Sequence, residues 1–138
     1  MYNACLNSTC AITDLDTGRL QLATEVVEGL VRPAMHEIRA AAKASGGHDL
    51  PIELVDTVIA TDPITMYNPP SMQVDVRNGR YIEFENIVGE PVREAAKCGV
   101  PTPTLLVLYN LLKAIQWRTK ERKGLIEIPA RADHTGTS

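Results

Sequence analysis

Residues 102–124 read TPTLLVLYNLLKAIQWRTKERKG, and this stretch decides the fold. Thr102 followed by Pro103 is a typical helix start, because a threonine can cap the first turn and proline suits the first helical position. Basic residues precede Gly124, where cations favour the negative end of a helix. Between these two signals, apolar residues recur every three or four positions, at Leu105, Leu108, Leu112 and Ile115. The stretch therefore predicts a long amphipathic helix that turns one face to a core.

The rest of the chain shows the same helical periodicity and only short, ambiguous strand-like runs. Pro33 lies inside one of the periodic segments and removes a hydrogen bond there, so we expect a kink or two stacked helical pieces. Thr24, Asp49 and Ser71 are the predicted N-caps of three helices. The predicted helices run from Met1 to about Thr13, Thr24 to Ser45, Pro51 to about Met66, Ser71 to Asn78 and Tyr81 to Cys98. The prediction is one all-α, multi-helix domain over residues 1–124, followed by a flexible tail over residues 125–138.

Composition excludes several classes of function. The chain has 138 residues, a formal net charge of -3 and only one Trp, four Tyr and one Phe, which argues against nucleic-acid binding. Its longest apolar run, Leu105 to Leu108, is far shorter than the ~20 residues of a membrane-spanning helix. The three cysteines lack metal-ligand spacing, so we expect neither a metal site nor a disulfide framework. No secretion signal is visible, which predicts a cytoplasmic protein.

Three places carry side chains suited to ligand chemistry. Asn3 and Asn7 are four residues apart, hence on one helix face, where two amides can grip a carbonyl or hydroxyl group. Asn68 through Ser71 joins an amide, a proline bend, a hydroxyl and a helix N-terminus, which attracts anions. Glu83 lies between two apolar residues, where a carboxylate can have an altered proton affinity. Buried structural amides, a simple cap and a solvated acid fit the same patterns, so spacing alone leaves these alternatives open.

The segment from Asn68 to Gly89, NPPSMQVDVRNGRYIEFENIVG, resembles a signature of the ketopantoate reductases (2-dehydropantoate 2-reductases). That signature runs Ser-Met, Asp, Gly-Arg, Glu, and then Asn and Gly, at closely matching spacings. Cys98 to Pro103, Leu108 to Lys113 and Asn3 to Asn7 extend the resemblance over about residues 1–124. It implies the helical C-terminal domain of these enzymes, which also resembles 6-phosphogluconate dehydrogenase-like proteins.

The resemblance also implies roles for individual residues. Ketopantoate reductases reduce a keto acid with NADPH on the pathway to pantothenate, and their helical domain closes over the substrate. By this resemblance, Asn3 and Asn7 contact the keto and hydroxyl region of the substrate, and Ser71 contacts its carboxylate. Asn68 supports the site, and Glu83 organises the catalytic centre.

The chain also departs from the family pattern. A further substrate-contacting Asn of the family falls at Thr17, so we expect Thr17 in the site with altered contacts. The proton-donating lysine of the family lies two residues before the position of Met1, and the N-terminal Rossmann domain is not part of this chain. We therefore expect the chain alone to bind no cofactor, although the complete family enzyme uses NADPH.

Three functional interpretations follow. The first is the substrate-binding helical domain of a ketopantoate reductase-like oxidoreductase, completed by a Rossmann domain and acting on a small keto acid or other carbonyl compound. The second is a cofactor-independent isomerase or cyclase for a small carbonyl compound, with Glu83 and the asparagines as its acid-base and polarising groups. The third is a non-catalytic dimerisation module. An apolar cleft face without its partner domain favours a homodimer in each case.

Overall fold

The computed structural model describes residues 1–133, which form seven helices and no strand. Three of the helices contain a π-helical segment, and a short 3-10 turn at Ile64–Met66 lies between α4 and α5. The helices are α1 (Tyr2–Asn7 and Ser8–Thr13), α2 (Thr17–Leu22), α3 (Thr24–Val26, Val27–Val31 and Arg32–Gly46), α4 (Glu53–Ile59), α5 (Ser71–Arg77), α6 (Glu85–Gly89 and Glu90–Lys97) and α7 (Pro103–Arg122). The all-α prediction is confirmed.

Helix α1 is the centre of the fold. It contacts α4, α5, α6 and α7, and α3 closes the other side by packing on α6 and α7. The apolar stripe predicted for α7 faces this core, since Leu105, Leu108 and Leu112 are buried and Ile115 packs against them. Because α1 carries both Asn3 and Asn7, the core that fixes this helix also fixes the first pair of predicted site residues.

Two prolines inside helices follow π-helical segments. Pro33 comes just after the segment Val27–Val31, and Pro91 comes just after Glu85–Gly89. A proline lacks the N–H that an α-helix needs and its ring crowds the preceding turn, whereas a widened turn accommodates both defects. The expected interruption at Pro33 therefore takes the form of a widened turn within one continuous helix.

The helix predicted over residues 51–66 is wrong in its extent. The α-helix covers only Glu53–Ile59, and its N-cap position is held by Ile52 rather than by Asp49. Pro63 then stops regular structure, because it cannot donate to the turn before it. The 3-10 turn at Ile64–Met66 follows and contacts α2, so this part of the chain is a loop.

Two of the three predicted side-chain caps are displaced by one residue. Thr24 and Ser71 are the first residues of their helices, with Ala23 and Pro70 in the cap positions and no side-chain cap bond. Pro70 is already extended and fixes the entry of the chain into α5. The hydroxyl of Ser71 therefore makes no capping bond and stays exposed.

A residue from another helix caps the start of α7. Thr102 holds the N-cap position but makes no side-chain cap bond. Instead, the carboxylate of Glu37 accepts hydrogen bonds from the backbone N–H of Thr104 at 2.9 Å and of Leu105 at 3.1 Å. The negative charge also favours the positive helix end. Glu37 thereby connects α3 to α7.

The described residues beyond α7 have no regular structure. Gly124 has a positive φ of 76° and ends α7 as predicted. Residues 125–133 form neither helix nor strand. The predicted flexible tail includes residues 134–138, which lie outside the described residues, so that part of the interpretation stays a prediction.

Candidate functional site

Asn3 and Asn7 form a hydrogen-bonded pair on one face of α1. The side-chain amide nitrogen Nδ2 of Asn7 donates to Oδ1 of Asn3 at 2.7 Å. Asn7 is buried, and its own Oδ1 has no hydrogen-bond partner among residues 1–133. Asn3 is exposed. Because the oxygen of Asn3 already accepts a bond from Asn7, its Nδ2 is the group left to donate to a ligand.

Asn3 lies at the wall of an open cleft between α1, α3 and α6. The cleft has a volume of about 460 Å³. Ile38, Ile87 and Pro91 supply apolar walls, and Asn86 adds a second amide to the lining of the cleft. A mostly apolar cleft of this size with a few polar groups is typical of a small-molecule site.

A second cluster ties the loop before α5 to the start of α1. Thr17 donates to the backbone oxygen of Asn68 through its N–H at 3.0 Å and through Oγ1 at 3.2 Å. Nδ2 of Asn68 donates to Oδ2 of Asp62 at 3.2 Å, and the Tyr2 hydroxyl donates to the same oxygen. Gln21 donates to the backbone oxygen of Asp62 at 2.7 Å. Three separate segments of the chain are thus joined around Asp62 and Asn68.

Close packing of α2 against this loop depends on Gly18. A Cβ atom added at Gly18 would lie 2.2 Å from the backbone oxygen of Ile64 and 3.0 Å from the Tyr67 ring. Tyr67 in turn stacks under the guanidinium of Arg19, 4.9 Å from the ring centre. The absence of a side chain at residue 18 therefore allows the loop to approach Thr17.

Burial and hydrogen bonding set the protonation states of the Tyr2 and Asp62 side chains. The Tyr2 hydroxyl, with help from Asn68, holds the pKa of the Asp62 carboxyl below its usual range. Burial, together with the adjacent Asp62 carboxylate, raises the pKa of Tyr2 above its usual value. At neutral pH, Asp62 is therefore an anionic acceptor and Tyr2 is a neutral donor.

Within residues 1–133, the side chains of Ser71 and Glu83 make no hydrogen bond to either cluster. Both side chains are exposed. Ser71 begins α5, and Glu83 follows the turn at Gly79, whose φ is 66°. Within residues 1–133, the Glu83 carboxylate makes no ion pair. Direct hydrogen bonds among the predicted site residues therefore join only Asn3 to Asn7 and Thr17 to Asn68.

Sequence reasoning missed Tyr2, Asp62 and Gln21. Their contacts join residues far apart in the chain, such as Tyr2 and Asp62 with a separation of 60 residues. Asp62 precedes Pro63 and reads as an ordinary turn residue. Asn86 belongs to the quoted signature but was given no role there, although its position in the cleft makes it a candidate.

A larger groove, of about 610 Å³, lies at the opposite end of α1. Arg77, Arg118 and Arg122 line it, and none of the predicted site residues does.

The described residues contain no cluster of histidine, cysteine, aspartate and glutamate suited to a metal ion. None of the helices in residues 1–133 combines the length and the apolar character that crossing a bilayer requires.

Comparison with known proteins identifies the domain. Residues 1–116 match the family described as "Ketopantoate reductase PanE/ApbA C terminal". The chain belongs to this family. An uncharacterized protein of Saccharomyces cerevisiae is 38% identical over 92% of this chain and 36% of its own length. The chain thus spans little more than a third of that relative.

Solved structures support the same assignment to the ketopantoate reductase family. The 2-dehydropantoate 2-reductase from Methylococcus capsulatus is 38% identical with a TM-score of 0.70, and the match covers 86% of this chain and 40% of the other. D-mandelate dehydrogenase, in a ternary structure with NADH and anilino(oxo)acetate, is 27% identical with a TM-score of 0.76. That match covers 86% of this chain and 39% of the dehydrogenase. The names of these two enzymes thus refer to different acids.

Proposed function

We propose that this chain is the substrate-binding helical domain of a ketopantoate reductase-like oxidoreductase that acts on 2-dehydropantoate or a similar 2-keto acid. The hydrogen bond from Asn7 to Asn3 carries this proposal. It leaves the side-chain N–H groups of Asn3, a residue at the wall of the cleft, available to donate to a ligand. When a keto group is reduced, negative charge develops on its oxygen, and a preorganised N–H donor stabilises that charge. The family membership and the name of the Methylococcus relative support the choice of substrate class.

A nicotinamide cofactor needs a second domain. A dinucleotide is held at a strand, a glycine-rich turn and a helix N-terminus. Residues 1–133 contain no strand, so these residues do not fit NADPH on their own. In the proposed complete enzyme, a Rossmann domain binds NADPH, which supplies the hydride. The helical domain binds and orients the keto acid.

Titration of the full chain with 2-dehydropantoate tests the proposal. We expect saturable shifts of the Asn3 and Asn86 side-chain amide resonances in ¹⁵N NMR spectra. Asn3→Ala should weaken the affinity about tenfold, because one hydrogen bond to a charged ligand is lost. Addition of NADPH should leave the affinity unchanged.

Asn110→Ala is the matched control for Asn3→Ala. Asn110 is an exposed asparagine on α7, and among residues 1–133 its amide bonds only the backbone oxygen of Leu106. It does not line the cleft, so the affinity of Asn110→Ala should equal that of the unsubstituted chain. If 2-dehydropantoate binds nowhere, or binds equally to Asn3→Ala, the proposed function is wrong.

The isomerase or cyclase interpretation needs an acid-base pair within the chain. Glu83 is its candidate acid-base group, yet within the described residues that exposed carboxylate forms no ion pair and accepts no hydrogen bond. The observed contacts therefore favour substrate binding by amides over acid-base catalysis by Glu83. Turnover of 2-dehydropantoate by the chain without NADPH would reverse this preference.

We also propose that the chain forms a homodimer through the outer face of α7. Leu106, Val107, Leu111 and Trp117 are each 44–56% exposed on this helix. Ala114 continues the stripe one turn after Leu111. Exposed apolar stripes of this kind are commonly covered by another copy in a twofold interface.

Light scattering at tens of micromolar tests the dimer. We expect twice the monomer mass for the unsubstituted chain and the monomer mass for Leu111→Glu, because a charge would be buried in the apolar interface. Leu22→Glu is the control, since Leu22 is 59% exposed on α2 and away from the stripe. A monomer for the unsubstituted chain contradicts the proposal.

A further inference from the structure

We propose that Asp62 and Tyr2 are positioning residues that hold the Asn68 carboxamide with its nitrogen toward Asp62 and its oxygen away from Asp62. The inference about a ligand rests on the proposed function: Asn68 then accepts a hydrogen bond, and it selects keto acids that carry a hydroxyl group. The orientation of the amide itself is independent of any ligand.

The identity of the group facing Asp62 decides the orientation of Asn68. An ionised carboxylate has only acceptors, whereas the two ends of a carboxamide are a donor and an acceptor. The 3.2 Å contact to Oδ2 of Asp62 must therefore be made by Nδ2 of Asn68. Turning the amide over would place two oxygens against each other. Asp62 thus fixes which end of Asn68 remains for a ligand.

Tyr2 holds the Asp62 carboxylate that orients the Asn68 amide. The Tyr2 hydroxyl donates to the same oxygen of Asp62. This bond lowers the pKa of the Asp62 carboxyl, so Asp62 is ionised at neutral pH. Tyr2 precedes Asn3 in α1, so the contact also joins the Asn68 loop to the helix that carries the other predicted amides. Replacing the hydroxyl with hydrogen would remove this constraint while keeping the ring.

The backbone around Asn68 and Asp62 is held separately. Gln21 donates to the backbone oxygen of Asp62, and Thr17 donates twice to the backbone oxygen of Asn68. The loop is therefore anchored at both residues, and rotation of the Asn68 side chain is the freedom that remains. The Asp62 carboxylate removes that freedom.

The two clusters offer opposite hydrogen-bonding groups. Asn3 has a free donor, which suits a keto or carboxylate oxygen. Asn68 has a free acceptor, because no donor within residues 1–133 contacts its Oδ1. A hydroxyl group can donate to this oxygen, whereas a methyl group or a second carboxylate cannot. A site built around an acceptor discriminates against ligands that leave it unpaired.

The first test measures the NMR signals of the Asn68 side-chain amide in the absence of ligand. In ¹⁵N NMR spectra of the full chain, the side-chain N–H₂ of Asn68 should show a downfield proton and slowed solvent exchange. Both signatures should disappear in Asp62→Asn and weaken in Tyr2→Phe. Asp62→Glu should restore part of the slowed exchange. Asp56→Asn is the control, because that exposed acid bonds Arg32 and not the loop.

The second test compares 4-hydroxy-2-oxobutanoate with 2-oxopentanoate, which carries a methyl group in place of the hydroxyl. We expect the unsubstituted chain and Asp56→Asn to bind the hydroxyl compound about tenfold more tightly. In Asp62→Asn this preference should fall to about twofold, because the Asn68 amide can then turn over.

The outcomes separate the inference from the proposed function. An unchanged Asn68 resonance in Asp62→Asn overturns the positioning role, whatever binds. A hydroxyl preference that survives in Asp62→Asn overturns the selection of the ligand by Asn68. Binding of neither keto acid to the unsubstituted chain overturns the hydroxyl selection. Titration with 2-dehydropantoate decides the proposed function separately, and the Asn68 resonance still decides the positioning role.

Discussion

Gly18→Ala is expected to lower the free energy of unfolding by about 3 kcal/mol. The added Cβ would lie 2.2 Å from the backbone oxygen of Ile64. Backbone atoms cannot rotate aside as a flexible side chain can, so α2 and the loop before α5 must separate. Urea unfolding followed by far-UV circular dichroism measures the change.

The separation should also disturb the candidate site. Thr17 is the neighbour of Gly18, and its two hydrogen bonds to Asn68 hold the loop in place. We therefore expect Gly18→Ala to speed solvent exchange at the Asn68 amide as well as to lower stability. A loss of stability without faster solvent exchange at the Asn68 amide would contradict the conclusion that Gly18 allows the loop to pack in place.

Gly29→Ala is the matched control for Gly18→Ala. Gly29 lies within α3, and a Cβ atom added there has no neighbour within 4 Å. Alanine is the better helix former, so this substitution should leave stability unchanged or raise it by up to about 1 kcal/mol. Equal losses in both variants would show that glycine itself, rather than close packing, matters.

The helices could be predicted because their signals are local. The apolar stripe of α7 and the glycine that ends it are encoded within a few residues of each other, and the structure has both. The same reasoning failed over residues 51–66, where an apolar pattern continued past Pro63. An apolar pattern carries no information on the N–H that a single proline lacks. The prediction therefore joined a helix and a 3-10 turn into one helix.

The site was predicted less completely because its contacts are distant in sequence. Spacing within one helix was sufficient to place Asn3 beside Asn7. The bond from Tyr2 to Asp62 spans 60 residues, and the cap of Glu37 on α7 spans 67. No local pattern encodes such pairs, since each depends on how the helices pack. The family resemblance supplied Thr17 and Asn68, but the acid that orients Asn68 required the structure.

Leu108→Ala is expected to cost about 3 kcal/mol of unfolding free energy. Leu108 is 1% exposed and lies in the core between α7 and its neighbours. The substitution removes buried apolar atoms and leaves a cavity that a helix fixed at both ends cannot close by moving. The N-terminal cap from Glu37 and the packing of Leu105 and Leu112 hold α7 in place. Urea unfolding of the full chain measures the loss.

Leu22→Ala controls for the chemical change, because Leu22 is also helical but is 59% exposed. Its loss of stability should be below about 0.5 kcal/mol. The comparison distinguishes a packed core from a loosely collapsed one, since only close packing makes the two leucines unequal. Similar losses in both variants would mean that α7 is not packed as described. The core would then be too soft to fix α1, and the orientation of Asn3 toward the cleft would lose its structural basis.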